Sequence, residues 1–279
     1  MTSATLEMPA AQNVKSTPNA LAQELATVSV LVRRDLLRFF REKSRLVGAL
    51  AQPLLFWLVI GSGMAGTFRL PGAESVGYLE YFFPGIVLMV VLFAAIFTTM
   101  SVIDDRHEGF LQAVLVAPGS RGALVTGKVL GSSAVALLQA ALFVALAPLA
   151  GFSYAAIAWL PLVLVLVLIA LALTALGFAL AWWLDSSAAY HVVMGMLLIP
   201  LWVLSGAMFP ASASQPMLAM VMRVNPVSYA AAALRGSLYG GTVPGTAILG
   251  GGIPMQITVV ALFAATALAT AIVVCYRKR

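Results

Sequence analysis

The stretch that decides the fold is FFPGIVLMVVLFAAIFTTMSVI, residues 82–103, which runs directly into DDRHEGFLQAVLVAPGSRGALVTGK, residues 104–128. The first part contains no charged side chain, and a helix of about 20 such residues crosses a hydrocarbon core about 30 Å thick. The second part gathers acidic, basic and glycine residues into a polar island ahead of the next apolar run. Together, the two stretches predict a membrane-spanning helix that ends in a polar connection at one membrane face.

The whole chain has the composition of an integral membrane protein. Of its 279 residues, 62% are hydrophobic and 9% are charged, whereas soluble domains carry about 25% charged residues. Six stretches without Lys, Arg, Asp or Glu are long enough to span a bilayer, and they must be helical because a lone strand leaves its backbone polar groups unsatisfied in lipid. We therefore expect an all-α membrane domain at residues 46–276, with six transmembrane helices at residues 46–66, 82–103, 129–150, 159–184, 192–209 and 253–276.

The basic residues predict the orientation. An even number of spans places both termini on one side of the membrane, and 13 of the 16 Lys and Arg residues then lie on that side and 3 on the other. The positive-inside rule places the termini in the cytoplasm. Because the basic clusters border apolar spans, the net charge of +6 indicates contact with membrane lipids rather than with nucleic acid. Residues 1–30 lack the apolar core of a cleavable signal peptide.

The segment before the first span has two parts. Residues 1–20 are rich in Ala, Thr, Asn, Gln and Pro, which predicts a disordered cytoplasmic tail. Residues 21–45 have basic and apolar positions at helical spacing, which predicts an amphipathic helix in the cytoplasmic interface. This helix is either an anchoring belt alone or, in addition, a contact surface for a cytoplasmic partner. Its basic positions include Arg34, Arg38, Arg41 and Arg45, and residues 277–279 form a second basic tail.

The first half of the polar island, residues 104–117, predicts a second interfacial helix. Acidic side chains cluster in its first turn, where the positive end of the helix dipole favours them, and apolar side chains then share one face. Pro118 and Gly119 end it. Such a helix between two spans is a natural docking element, and the alternative is an ordinary polar loop. The positions concerned are Asp104, Asp105, Arg106, Glu108, Gly109, Phe110, Leu111, Val114 and Leu115.

The second half of the island contains a partial nucleotide-binding signature. Residues 122–128 fit the pattern G-x-x-x-x-G-K, but Val129 stands where a Ser or Thr would bind magnesium. No strand precedes the segment and an apolar span follows it, whereas a phosphate cradle needs exposed backbone amides between a strand and a helix. We therefore interpret Lys128 as a positive anchor at the cytoplasmic mouth of the third span.

The longest connection, residues 210–252, is too apolar for a plain solvent loop. It predicts two short helices on the outer side, separated by Asn225 and Pro226, with the second running from Ser228 to about Tyr239. These helices either dip into the outer leaflet, where they could gate a substrate path, or form a loop that lies on the surface.

Catalytic constellations are missing from the sequence. His107 and His191 belong to no metal-binding motif, the spans contain no acid for a proton relay, and the single Cys275 excludes a disulfide framework. We therefore expect no cofactor or metal in this chain and no enzymatic activity. The polar side chains at depth more often serve helix packing than ligand binding, and they are Gln52, Gln139, Thr98, Thr99, Thr174 and Ser205.

The polar island and two later segments resemble those of a known protein family. Residues 105–128, together with the span that precedes them, resemble the central stretch of ABC type-2 transporter permeases, and PLWVLSGAMFP (200–210) and NPVSYAAAALRG (225–236) are similar to the second half of that pattern. Within that family the sequence resembles the daunorubicin-resistance and nodulation-factor export permeases. The resemblance covers residues 25–276. Where the family carries E-G-T-L, this chain has Phe110 in place of Thr, which removes a polar group but leaves the helix intact.

The resemblance implies a permease subunit of an ATP-driven exporter in the bacterial cytoplasmic membrane. A separate ATPase subunit would bind ATP and magnesium, the permease would form a homodimer, and the cargo would be hydrophobic, lipid-like or glycan-type, possible drugs included. An ATP-independent scaffold or assembly factor, and an intramembrane enzyme, are the competing classes. By position, the ATPase would contact Arg34, Arg38, Arg41, Asp104, Asp105, Arg106, Glu108, Gly109, Phe110 and Leu111, and the outer-side helices would include Asn225, Pro226, Tyr229 and Arg235.

Overall fold

The structure is a computed structural model that describes residues 20–66, 68, 76–116, 120–210, 216–241, 249 and 251–277. The predicted tail at residues 1–20 therefore lies outside the described residues except for Ala20, and the 277–279 tail lies outside except for Arg277. The described part of the chain is helical and contains no strand. Its helices are α1 (Ala20–Arg41), α2 (Lys43–Met64), α3 (Tyr78–Thr99), α4 (Ser101–His107), α5 (Phe110–Val116), α6 (Arg121–Val144), α7 (Trp159–Trp183), α8 (Ser187–Val203), α9 (Pro216–Val224), α10 (Pro226–Leu238) and α11 (Gly252–Arg277), with a short 3₁₀ turn at Ala147–Ala150.

Four helical stretches of the described chain are long and apolar enough to cross a membrane. They are α3 continued by α4, then α6, α7 and α11, and the pair α9–α10, bent by 89°, would make a fifth if it counts as one span. The first and fifth predicted spans correspond to shorter apolar helices, Leu50–Met64 within α2 and Ser187–Val203. The all-helical membrane fold is thus confirmed, while the number of six spans stays a prediction.

Several helices differ in extent from the predicted spans, whose boundaries in the membrane stay predictions, and local chemistry explains two of these differences. The helix of the predicted third span starts at Arg121, ahead of residue 129, because the Ser120 side chain accepts a hydrogen bond from the Ala123 amide and caps the helix there. It ends at Val144 instead of residue 150. The fifth ends at Val203 instead of residue 209, since Gly206, at φ +79°, takes a left-handed conformation that no helix continues.

Helix α3 forms the centre of the bundle. It is buried along nearly its whole length and packs against α2, α6, α7 and α10. Helix α11 packs on α7, and α1 lies along α6. The apolar core therefore follows α3 from one end of the bundle to the other, with a polar site at each end.

The short helices α9 and α10 differ in burial. Helix α10 is buried along almost all its length and packs against α3, α7 and α11. In α9, Met217 and Val224 are 82% and 79% exposed. Of the two interpretations of this region, the burial of α10 favours a helix that enters the bundle, and its place is at the start of α3, opposite to α1. The return connection at residues 242–248 lies outside the described residues.

Candidate coupling site

The site is a cluster of four charged side chains from three helices, which we call the charge cluster. It consists of Arg34 and Asp35 on α1, Asp105 on α4 and Lys128 on α6. The Arg34 guanidinium donates from both terminal nitrogens to Asp105, one of them at 2.9 Å from Oδ2. The Lys128 Nζ atom lies 2.5 Å from Asp105 Oδ2 and 3.3 Å from Asp35 Oδ1. One lysine thus joins two carboxylates from separate helices.

Burial makes these charges depend on one another. The side chains of Asp105 and Lys128 are 0% and 1% exposed, and that of Asp35 is 10% exposed. An unpaired charge at such a depth is strongly unfavourable, so two cations balanced by two anions form a stable set only together. Because α1, α4 and α6 each supply a member, the cluster fixes these helices relative to one another.

The pKa values on α1 follow from the same geometry. The hydrogen bond to Asp105 raises the pKa of Arg34, which keeps its planar guanidinium charged for a two-pronged contact. Burial raises the pKa of Asp35 above its ordinary value, although the neighbouring Lys128 and Arg34 act in the opposite direction.

Two glycines allow α1 to approach α6 this closely. A Cβ atom on Gly127 would lie 2.8 Å from Leu31 Cδ1, and one on Gly131 would lie 2.9 Å from Asp35 Oδ2. Small residues four positions apart commonly let membrane helices pack closely. Residues 122–128 lie within α6, so their backbone amides are those of a helix and not of a loop. The glycine–lysine signature therefore serves helix packing and ion pairing. Lys128, interpreted from the sequence as a positive anchor at the cytoplasmic mouth of the third span, has a buried side chain that pairs with carboxylates of α1 and α4.

The polar island does not form one helix over 104–117. Asp104, Asp105 and Arg106 continue the second span as α4, which ends at His107. Gly109 has φ +75°, a conformation that breaks the helix at low cost only for glycine, and α5 then begins at Phe110. The prediction was wrong because acidic residues at an apparent helix start are local signals, whereas the preceding turn of α3 continues through them. Residues 117–119, with the predicted stop, lie outside the described residues.

Arg106 attaches α4 to the end of α7. Its guanidinium donates to the backbone carbonyls of Trp182 at 2.9 Å and Leu184 at 3.3 Å, and it pairs with Asp185 at 2.5 Å. It also lies 5.2 Å from the centre of the Trp182 ring. Carbonyls at a helix C-terminus have no partners within the helix and favour a cation, so Arg106 has a structural contact that the sequence did not indicate.

An open cleft of about 500 Å³ lies beside the charge cluster. Arg38, Arg41 and Glu108 line it together with Arg34, Leu37 and Glu42. The Arg38 guanidinium links the two regions, because its Nε donates to Glu42 at 3.2 Å and its Nη1 lies 3.9 Å from Asp105 Oδ1. The cleft therefore presents mixed charge to the outside and connects through Arg38 to the buried cluster.

The predicted coupling residues divide into a buried and an accessible group. Asp105 and Leu111 are buried, and Phe110 lies under the Arg34 guanidinium at 3.9 Å from its ring centre. Arg41 and Glu108 are exposed. Sequence reasoning missed Asp35 and the carboxylate partners of Lys128. A lysine within the apolar helix α6 needs a carboxylate partner, and Asp35 stands among the arginines of α1.

At the opposite end, the predicted outer-side residues hold α10 in place. Asn225 accepts from the Val227 amide at 3.0 Å as an N-cap, and its Nδ2 donates to the Leu201 carbonyl at 2.7 Å. Pro226 begins α10, where its missing N–H has no consequence. The Tyr229 hydroxyl donates to the Arg223 carbonyl at 2.8 Å.

Arg235 completes that end of the bundle. It is 5% exposed, donates to the Gly206 carbonyl at 3.1 Å and lies 4.2 Å from the centre of the Tyr81 ring. A carbonyl dipole and an aromatic face thus surround this cation.

The long apolar helices define a multi-pass membrane protein, in which α10 is buried and a charged cleft lies at one end. The model of the ABC-2 type transporter family matches residues 26–239, and the chain belongs to this family. The resemblance seen in the sequence is thereby confirmed. In general, membership implies an ABC ATPase as a partner and a transport role rather than an enzymatic one.

Three relatives show the same similarity, and the names of all three describe a transport permease, ycf38. The protein from Porphyra purpurea is 26% identical over 232 residues, which cover 78% of this chain and 76% of the relative. The protein from Pyropia yezoensis is 27% identical over 222 residues, covering 76% and 72%. The protein from Cyanophora paradoxa is 34% identical over 91 residues, covering 32% of this chain and 31% of the relative.

Proposed function

We propose that this chain is the permease subunit of an ATP-driven exporter whose ATPase subunit binds at the cleft of α1 and α4–α5. The observation that supports this most is the connection from exposed charges to buried ones. Arg38 contacts both Glu42 at the cleft and Asp105 in the charge cluster, and Asp105 lies on the same continuous stretch, Tyr78–His107, as the central helix α3. A movement imposed at the cleft would therefore reach the middle of the bundle through ion pairs and a rigid helix.

The proposal includes the topology and assembly expected from the sequence. Six spans with both termini in the cytoplasm require α2 and α8 to cross the membrane. At 1.5 Å per residue, the 17 residues of α8 extend about 25 Å, which approaches the thickness of the hydrocarbon core. The cleft then faces the cytoplasm of a bacterium, where the ATPase with its ATP and magnesium would bind. Two permease copies would enclose a path for a hydrophobic, lipid-like or glycan-type cargo.

The decisive experiment reverses two exposed charges of the cleft. The double variant Arg41→Glu, Glu108→Lys should lower cargo-stimulated ATP hydrolysis by the copurified ATPase at least about tenfold, since like charges across an interface oppose binding by more than 1.4 kcal/mol. Arg223→Glu is the matched control, because Arg223 is also exposed but lies on α9 at the opposite end.

The competing class gives a different result. If the chain is an ATP-independent scaffold or assembly factor, no ATPase will copurify with the tagged protein from its native membrane. The double variant would then insert normally and change nothing in ATP hydrolysis, and the proposed function would be wrong.

A further inference from the structure

A cavity of about 270 Å³ lies between α2, α3 and α6, next to the charge cluster. This volume is close to the lower end of the range for small-molecule sites, about 300 Å³. Gln139 and Ala94, which are 4% and 2% exposed, form its floor, and the exposed Gln52 and Phe97 lie at its mouth. The cavity therefore opens on the surface of the bundle and ends at a buried amide.

The amide groups of this cavity have unused hydrogen-bonding capacity. Among the described residues, neither the Gln139 nor the Gln52 side chain makes a hydrogen bond, and both line the cavity. The Thr98 hydroxyl donates to the Ala94 carbonyl at 2.7 Å, which leaves its oxygen able to accept. Both amides reach the cavity, so a ligand that supplies donors and acceptors would replace their contact with water by direct hydrogen bonds.

The remaining lining decides which kind of ligand fits. Phe93, Phe97 and Pro53 give the cavity apolar walls, and none of its described lining residues is charged. Among these described lining residues a charged group would find no opposite charge, whereas a neutral polar group would find two amides and a hydroxyl.

We propose that this cavity binds the uncharged hydrogen-bonding end of an amphipathic molecule, such as a neutral glycolipid-like headgroup with its chain along the phenylalanine rings. That this ligand is the transported cargo rests on the proposed function. The inference adds a binding site to that function and specifies that the bound end of the cargo is uncharged.

The position of Thr98 connects the cavity to the coupling site. Thr98 also lines a small neighbouring cavity of about 20 Å³ together with Asp35, Arg38 and Ser101. A ligand in the larger cavity is thus separated by one side chain from residues that contact the charge cluster. Cargo occupancy and the arrangement of α1 would influence each other through this wall.

The test measures photolabelling of the full-length protein in phosphatidylcholine nanodiscs. The probes are decyl glucoside and decyl sulfate that carry the same diazirine in the alkyl chain. The glucoside should label residues 48–53 or 93–98 saturably, and the sulfate should reach half-saturation only at a concentration at least about tenfold higher, because the amides offer no cation. Gln139→Leu should weaken the apparent affinity for the glucoside about fivefold, the effect of one lost hydrogen bond between neutral groups.

Two further variants separate binding from folding. Gln256→Leu removes another buried glutamine, 7% exposed on α11 and outside the cavity, and should leave labelling unchanged. Gln52→Leu alters an exposed side chain at the mouth and should leave the fold unchanged. It should weaken glucoside binding two- to threefold.

The outcomes are distinguishable from those of the proposed function, because no ATPase is present in this measurement. Equal labelling by glucoside and sulfate, or unchanged glucoside affinity in both Gln139→Leu and Gln52→Leu, would overturn the inference even if ATP-driven transport were intact. Saturable glucoside labelling with these losses would support it even if the coupling experiment failed.

Discussion

The two ends of α3 each contain a buried cation, and they stabilise it in different ways. Lys128, 1% exposed, pairs with carboxylates from α1 and α4. Arg235, 5% exposed, donates to the Gly206 carbonyl and lies over the Tyr81 ring. The first cation depends on charges of other helices, whereas the second depends on dipoles that the backbone and an aromatic ring supply. We infer that the Lys128 end can transmit a shift between helices, and that the Arg235 end holds α10 in a fixed place.

The largest expected effect follows from removing the shared cation. Lys128→Met should lower the free energy of unfolding by about 3–5 kcal/mol, since it leaves buried carboxylates with less compensation. Equilibrium unfolding by SDS in mixed micelles measures this. Arg33→Met, at an exposed position of the amphipathic helix α1, is the control and should change the value by less than about 0.5 kcal/mol. A loss for Lys128→Met no larger than that of the control would contradict the charge cluster as a structural link.

The packing of α1 on α6 gives the next effect. Gly127→Leu should cost about 1–3 kcal/mol, because the new side chain has no room beside Leu31. Displaced α1 should also be cut faster by trypsin at its arginines, which limited proteolysis in detergent detects. Gly63→Leu on α2 is the matched control, since a Cβ there meets nothing within 4 Å. If both variants are cut at the same rate, α1 does not depend on the close approach at Gly127.

Arg235→Met removes the buried cation at the opposite end of α3. We expect a loss of about 1–2 kcal/mol, from one hydrogen bond and one cation–π contact. The same SDS titration measures it beside Lys128→Met. If Arg235→Met proves as harmful as Lys128→Met, the two ends do not differ in the way proposed, and Arg235 must compensate a negative charge.

The smallest effect concerns pH and Asp35. Because burial raises the pKa of Asp35 in the folded protein, the folded state binds more protons than the unfolded state above the ordinary value of 3.8. The wild type should therefore lose stability as pH rises through the interval between 3.8 and the raised pKa, and Asp35→Asn should lack this loss. The difference in melting temperature, variant minus wild type, should become more positive from about pH 4 to pH 7. A difference that falls with pH would mean that the ion pair with Lys128 outweighs burial.

Hydropathy and charge predicted most of the helices but not their ends. The apolar run after residue 82 predicted the central helix, because about 20 uncharged residues suffice to identify a span. The end of that helix was misplaced because Asp104 and Asp105 resemble the start of a new helix in sequence, while the structure continues α3 as α4 through His107. Arg34, Asp105 and Glu108, which the sequence analysis placed at the contact with an ATPase, lie close together in the structure, and their role stays a prediction. Their division into buried and exposed groups depended on the packing of α1, which local sequence does not specify.

The sequence by itself determined the membrane class, the helical fold and the family, because these follow from composition, from span length and from residues that stand close together in the chain. Only the tertiary structure decided what Gly127 and Lys128 do, since their partners on α1 and α4 are far away in sequence. The effect of a buried charge on stability depends on the group with which it pairs. The same holds for α10, which has the sequence of a short amphipathic segment and becomes an interior helix because α3, α7 and α11 surround it. The unpaired amide of Gln139 is likewise ordinary in the sequence, and its position on the floor of a cavity is a property of three packed helices.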